Sequence, residues 1–324
     1  MSRYIVPLQG IGRGDVQRCG GKGANLGELI QAGVRVPPGF CVVSEALSSM
    51  IEFNSLGDPI ADIASGLNFE DYNAVEAETA RIRSMIGSAK MPADLEQGIL
   101  DHYEALINGA NKYVAVRSSV AVKDSPVSSF PGMMDTYHYV VGESEVLKKI
   151  RECWASLWTA RAAFARYQKN IPHDRGLIAP VIQLMVNADT AGVLFTANPI
   201  TKATQEMVIE SNWGLGESVV SGRSMNDFYV LDKEGLSIKQ KKIARKTVMV
   251  TMDEDQGSGR KEQPVPPERQ TAPTLSDAQL VELGQVSKTI ERHFGFNADI
   301  EWAYQGDTLY ILQTRRIRDS REKT

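Results

Sequence analysis

Asp299-Ile300-Glu301-Trp302-Ala303-Tyr304-Gln305-Gly306-Asp307-Thr308-Leu309-Tyr310-Ile311-Leu312-Gln313-Thr314-Arg315 is the stretch on which the reading of this 324-residue chain turns. Two apolar-rich runs flank a Gly-Asp pair, the pattern of a β-hairpin. Strand side chains alternate, so Asp299 and Glu301 share one face. What lies opposite them depends on the turn. A two-residue Gly306-Asp307 turn sets Glu301 across from Leu312. A three-residue loop over 306–308 sets Glu301 across from Gln313 and Asp299 across from Arg315. The second register also gathers Ile300, Trp302, Tyr304, Tyr310 and Leu312 on the other face. Register follows the apolar pattern, so the three-residue loop is expected. One face then carries two carboxylates, an amide and a guanidinium. Hard oxygen ligands of this kind suit Mg²⁺, which is usually held by one or two carboxylates plus substrate phosphates. A solvated polar face on an edge hairpin produces the same pattern.

Upstream of the hairpin, Ser276 and Gln279 form a capping-box pair. Leu280, Leu283, Val286, Ile290 and Phe294 give the stripe of the helix behind it. Short apolar runs at 179–186, 193–196, 207–210, 228–231 and 247–251 read as strands. The segment 252–273 is polar and Pro-rich and reads as an exposed loop. Residues 144–169 read as one helix, with Val146, Ile150, Trp154, Leu157, Trp158, Ala162 and Ala165 as its core stripe. A short strand at 113–116 leads to Arg117, followed by a Ser-, Gly- and Pro-rich functional loop over 120–137. Residues 44–110 are helical in pattern. At 20–34 a glycine-rich turn feeds a short helix with Leu26, Leu29 and Ile30 at helical spacing and Gly33 as its stop.

Composition narrows the function classes. Apolar residues make up 42% and charged residues 23%, with a formal net charge of -4. A general nucleic-acid binder is usually basic. The three cysteines, Cys19, Cys41 and Cys153, form no C-x-x-C pair, which suits a reducing cytosol and neither a disulfide framework nor a zinc ribbon. The N-terminus lacks a secretory h-region and no apolar run is long enough to span a membrane. The expectation is therefore a cytoplasmic protein with no nucleic-acid partner and no membrane. None of the four histidines, His102, His138, His173 and His293, has a catalytic partner motif. Gly20-Gly21-Lys22-Gly23 lets backbone amides approach a phosphate while Lys22 supplies charge. It lacks the Walker A spacing, and a plain surface turn fits it as well. Arg117 can grip phosphate oxygens bidentately or pair with a carboxylate at a strand end. Glu210 and Glu217 flank a glycine turn, placed to reach a ribose or a metal or to cap a helix.

Seven motifs in order then resemble the phosphoenolpyruvate synthase and pyruvate phosphate dikinase family. They are Gly20-Gly-Lys-Gly-Ala-Asn-Leu-Gly-Glu-Leu with Val34-Arg-Val-Pro-Pro-Gly-Phe, Val116-Arg-Ser-Ser, Phe130-Pro-Gly-Met-Met-Asp-Thr136, Gly192-Val-Leu-Phe-Thr-Ala-Asn-Pro199, Trp213-Gly-Leu-Gly-Glu217, Asp299-Ile-Glu-Trp and Leu312-Gln-Thr-Arg315. The loop at Pro131 is closer to the dikinase version than to the synthase's Ser-x-x-x-Phe-Ala-Gly. The resemblance implies an α+β chain with the ATP-grasp fold. Its two lobes, 1–182 and 183–324, have mostly antiparallel sheets and the nucleotide between them, with the polar loop 252–273 in the second lobe. It implies ATP and Mg²⁺. Lys22 and Arg117 would contact phosphates, and a loop containing Ser129, Gly132 and Thr136 would cover them. Gln183, Met185 and Val186 would lie beside adenine. Glu301 and Gln313 would hold Mg²⁺ with Asp299 close by, Arg315 would sit near the transferred phosphate, and Glu217 would join the nucleotide set.

Members of that family continue into a swivelling domain with a Thr-Ser-His phosphocarrier, and many into a pyruvate-binding barrel. This sequence contains no Thr-Ser-His. The expectation is a naturally short ATP-binding subunit of a split enzyme such as phenylphosphate synthase. Its partner would be a carrier protein or subunit with a phosphorylatable histidine, which also binds the small-molecule acceptor, pyruvate or a phenol. The β,γ-pyrophosphoryl group of ATP would pass to that histidine with release of AMP and phosphate. A fragment of a rifampicin phosphotransferase or of a full-length synthase, and a non-catalytic nucleotide-binding regulatory module, are the competing readings.

Overall fold

In the computed structural model, which describes residues 3–107, 109, 112–124, 136–220 and 225–317, the chain forms two interleaved units. One consists of Met1–Gly27 and Pro38–Met185, the other of Glu28–Pro37 and Val186–Thr324. The sequence suggested a single cut between 182 and 183. The second unit instead begins three residues later and also takes Glu28–Pro37.

The first unit carries, in chain order, β1 (Ile5–Pro7), α1 (Val16–Gln31, shared with the second unit), β2 (Gly39–Val42), α2 (Ser44–Phe53), α3 (Gly57–Ser65), α4 (Tyr72–Ser88), α5 (Ala93–Leu106), β3 (Val114–Val122), β4 (Thr136–Val140), α6 (Glu143–Ala155), α7 (Ala160–Gln168) and β5 (Gly176–Leu184). Its strands form a five-stranded antiparallel sheet in the order β1-β2-β5-β3-β4. Leu95, Ile99, Val116, Ile150, Trp154, Val181 and Ile182 are fully buried. The single helix expected over 144–169 is two. A 3-10 turn at Ser156–Trp158 separates them, and Thr159 caps α7 by accepting from the Ala162 amide. Capping side chains that compete with the helix backbone are the physical reason for the break. β3 is also longer than its apolar start suggested, so Arg117 lies within the strand rather than at its end.

The second unit carries β6 (Thr190–Phe195), β7 (Glu206–Trp213), α8 (Glu217–Val220), β8 (Asp227–Asp232), β9 (Ile238–Lys242), β10 (Val248–Met252), β11 (Arg260–Pro264), α9 (Asp277–Phe294), β12 (Ala298–Gln305) and β13 (Thr308–Arg316). Its main sheet is six-stranded and antiparallel, in the order β13-β12-β6-β7-β8-β9. Ser276 and Gln279 form the capping box of α9, and Gly295 ends it in the left-handed region at φ 72°. Ile300, Trp302 and Tyr304 of β12 and Leu280, Leu283 and Ile290 of α9 are fully buried. The segment 252–273 is no plain loop: β11 within it pairs with β10. Its strand escaped notice because Arg-Lys-Glu-Gln-Pro has no apolar alternation. A buried ion pair, Lys246 Nζ to Asp227 Oδ1 at 2.6 Å, anchors the connection from β9 to β10. Asp227 also accepts from the backbone amides of Ala244 and Thr274. Among the described residues no helix is long and apolar enough to cross a membrane.

The hairpin corrects one expectation in an instructive way. Gln305 pairs with Thr308, so the turn is the two-residue Gly306-Asp307, with Gly306 at φ 57°. Glycine at the first turn position favours this short turn. The site register nevertheless comes out as expected, Asp299 opposite Arg315 and Glu301 opposite Gln313. A bulge between Glu301 and Trp302 makes the difference: Trp302 pairs with Ile311, and Leu312 is the extra residue. The apolar faces shift accordingly. Leu309 and Ile311, not Tyr310 and Leu312, are buried with Trp302 and Tyr304. Tyr310 and Leu312 pack instead against Val186, Ala191 and Ala303.

Candidate functional site

Among the described residues, chemically active side chains gather in two groups, one in each unit. In the first unit the Gly20-Gly21-Lys22-Gly23 turn interrupts α1. Gly20 lies at φ 69°, ψ 171°, and helical geometry holds on either side of it. A Cβ on Gly20 would lie 2.3 Å from Ser119 Oγ, so only glycine allows this approach to β3. Gly27 is similarly pressed against the Ile11 carbonyl oxygen, which would lie 2.1 Å from an added Cβ. The turn thus opens the second part of the helix with Lys22 in its first turn, where backbone amides point outward and favour an anion.

β3 presents Ala115, Arg117 and Ser119 on one face. Arg117 is flanked by Thr136 of β4 and Val181 of β5. Its Nη1 donates to Gln183 Oε1 at 2.9 Å. Gln183 is buried on β5, opposite Ala115 and Gly39. The structure therefore brings Arg117, Thr136, Gln183 and the turn bearing Lys22 onto one sheet face. Met185 follows β5 as a buried residue whose amide donates to the Tyr113 carbonyl. Ser129 and Gly132 lie outside the described residues.

In the second unit the hairpin quartet is assembled by cross-strand pairing. Arg315 Nε donates to Asp299 Oδ2 at 2.7 Å, and Gln313 Nε2 donates to Glu301 Oε1 at 3.1 Å. Asp299 is 7% exposed. Burial pushes its carboxyl above the ordinary value of 3.8 and the neighbouring Glu301 charge adds to the rise, while Arg315 opposes it. A bound cation relieves this kind of crowding, because it favours both ionised carboxylates. Among the described residues no three His, Cys, Asp or Glu side chains group around a metal position on their own. Two carboxylates and an amide oxygen fit Mg²⁺ in its usual mode, with phosphates completing the shell. Val186, Ala191, Ala303, Tyr310 and Leu312 make a small apolar cluster in the same unit.

Cross-strand register extends the face further. Glu301 pairs with Val193, Val193 with Glu210, and Glu210 with Phe228. Glu210 accepts from Asn226 Nδ2 at 3.3 Å. Glu217 opens α8 and is ion-paired with Arg260 Nε at 2.8 Å. That arginine drew no attention in the sequence, and Ser119 stood there only as the last residue of the Val116-Arg-Ser-Ser motif, with no role of its own. Their partners lie far along the chain, and no local spacing announces such contacts.

A family model described as "Pyruvate phosphate dikinase, AMP/ATP-binding domain" matches residues 16–324. Among curated proteins, the probable phosphoenolpyruvate synthase of Pyrococcus abyssi is 38% identical, over 99% of this chain and 44% of that protein. The probable phosphoenolpyruvate synthase of Methanocaldococcus jannaschii is 41% identical, over 97% of this chain and 27% of its own length. Rifampicin phosphotransferase of Bacillus cereus is 36% identical, over 98% of this chain and 36% of its own. The chain spans less than half the length of these relatives.

Proposed function

Because the chain belongs to the pyruvate phosphate dikinase AMP/ATP-binding domain family, with the family's α+β, ATP-grasp-like architecture, we propose that it is the ATP-binding part of a phosphoenolpyruvate synthase-like phosphotransferase. The reaction is transfer of the β,γ-pyrophosphoryl group of ATP to a histidine on a carrier protein or domain, leaving AMP. Hydrolytic release of phosphate then leaves phosphohistidine, which phosphorylates pyruvate or a phenol bound on the carrier side.

The observation that carries the reading is the ladder on β12 and β13, Asp299 against Arg315 and Glu301 against Gln313. It offers oxygen ligands for a divalent cation directly beside a guanidinium for a phosphoryl group. Glu301 and Gln313 would hold Mg²⁺, with Asp299 beside them, and bound Mg²⁺ neutralises phosphate charge. Arg315 would bind the transferring phosphoryl oxygens, while Asp299 orients its guanidinium. Lys22 and Arg117 would grip the remaining phosphate oxygens, and Thr136 stands next to Arg117 to donate a hydroxyl. Gln183, Met185 and Val186 would line the base, and Glu217 belongs to the nucleotide set. Transfer of this kind needs positioning and charge neutralisation more than covalent chemistry from the protein.

The test uses ATP labelled at the β-phosphate, the purified chain, Mg²⁺ and a lysate of the source organism. Acid-labile, base-stable label on a second polypeptide is the expected result. Glu301→Ala or Arg117→Ala should abolish it without unfolding the chain, and each should weaken ATP binding about 10- to 100-fold. Undiminished labelling in either variant would sink the site assignment. ATP bound tightly with no label on any protein would favour a non-catalytic nucleotide-binding module.

A further inference from the structure

The turn that carries Lys22 is held by a residue from elsewhere in the chain. Ser119 is 1% exposed. Its hydroxyl donates to the Cys19 carbonyl oxygen at 2.7 Å and accepts from the Gly23 amide at 2.9 Å. These two partners stand on either side of Gly20-Gly21-Lys22, so one side chain closes the turn at both ends. Gly20 has no room for a Cβ beside Ser119, whose backbone carbonyl carbon would lie 2.5 Å away. Ser119 also follows Arg117 by two residues on the same strand and face, a spacing of about 6.6 Å.

We propose that Ser119 is a positioning residue for Lys22: its buried hydroxyl fixes the glycine turn on β3 and thereby sets the Lys22 amine at a defined distance from the Arg117 guanidinium. The inference rests on the reading of Lys22 as a phosphate ligand. Both hydrogen bonds are buried, and an unmet amide or carbonyl there is costly to leave. Once Oγ is gone, the Gly23 amide loses this acceptor and the Cys19 carbonyl is left with the distant Cys41 thiol at 3.8 Å, so the turn loosens from β3 and Lys22 moves with it. Water has little access to take the place of the hydroxyl at a residue this buried.

A double-mutant cycle on the whole chain tests this, with equilibrium binding of Mg-ATP and of AMP, which lacks the β- and γ-phosphates. Ser119→Ala should weaken Mg-ATP binding about tenfold and leave AMP binding within about twofold. Ser119→Ala combined with Lys22→Ala should lose no more than Lys22→Ala alone, because the serine acts through the lysine. Additive losses, or equal weakening of AMP and ATP, overturn the proposal. Wild-type Mg-ATP binding in Ser119→Ala also overturns it, provided Lys22→Ala has weakened binding. Full ATP binding in Lys22→Ala overturns the phosphate-ligand reading itself, and the role of Ser119 falls with it. Should Ser119→Ala fail to fold, hydrogen exchange on the wild-type chain decides. The Gly23 amide must be protected without nucleotide, and free exchange there overturns the proposal.

Discussion

Asp299 shows how one side chain can hold two demands at once. It is buried, which favours its neutral form, yet it sits against Arg315, which favours its ionised form. Burial is the larger effect, so the carboxyl titrates above its ordinary value of 3.8 in the folded chain. The folded state then binds the proton more tightly than the unfolded state. Its stabilising contribution is complete below pH 3.8 and is lost as pH rises through the raised folded value. In the absence of metal and nucleotide, the melting temperature of the wild-type chain relative to Asp299→Asn should therefore fall across that window. A difference that rises with pH would show that the ion pair with Arg315 outweighs burial. His173 behaves in the opposite sense. Burial, with the Arg166 charge adding to it, lowers its pKa to about 4, so its contribution to stability is lost as pH falls from 6.5 through that value.

At the scale of elements, the β12–β13 hairpin separates what a sequence can say from what it cannot. The alternation of Asp299 and Glu301 and the content of the opposing strand were legible, and so was the pairing of Glu301 with Gln313. The route to that pairing was not. A two-residue turn plus one bulged residue gives the same register at the site as a three-residue loop without a bulge. The pairing of Gln305 with Thr308 and of Trp302 with Ile311, and the burial of Leu309 and Ile311, tell the two apart. The glycine turn, α9 with its capping box, and the strands β6, β7, β8 and β10 were legible for the same reason: their signals are local and periodic. The strands Ile238–Lys242 and Arg260–Pro264 were not, because neither alternates apolar with polar residues. Nor was the grip of Ser119 on Cys19 and Gly23, which joins positions about a hundred residues apart in sequence. The hairpin also yields a test. One glycine inserted between Gly306 and Asp307 is absorbed at the turn and should leave Mg-ATP affinity within about twofold. One alanine inserted after Gln313 turns Arg315 to the other face and should cost about tenfold or more. Equal effects of the two insertions would mean that the quartet does not depend on register.

For the molecule as a whole, the organisation of the chain matters more than its two main sheets taken singly. Its backbone passes from one unit to the other at Gly27, at Pro37 and at Met185. The short excursion over Glu28–Pro37 is integral to the second unit. The Arg35 carbonyl accepts from the Ile311 amide of β13, and Glu28 Oε2 lies 2.9 Å from His293 Nε2 of α9. No single scission can therefore yield two self-sufficient halves. A gene fragment for residues 186–324 encodes a sheet whose outer strand has lost the acceptor for its Ile311 amide. Such a fragment should be insoluble or aggregate, while supplying residues 28–37 as a separate peptide, or fused through a linker, should recover a soluble fold. Solubility of 186–324 by itself would contradict this. Split-reporter or complementation designs built on this chain accordingly need their breakpoint inside one unit, at an exposed loop, and never at the apparent midpoint.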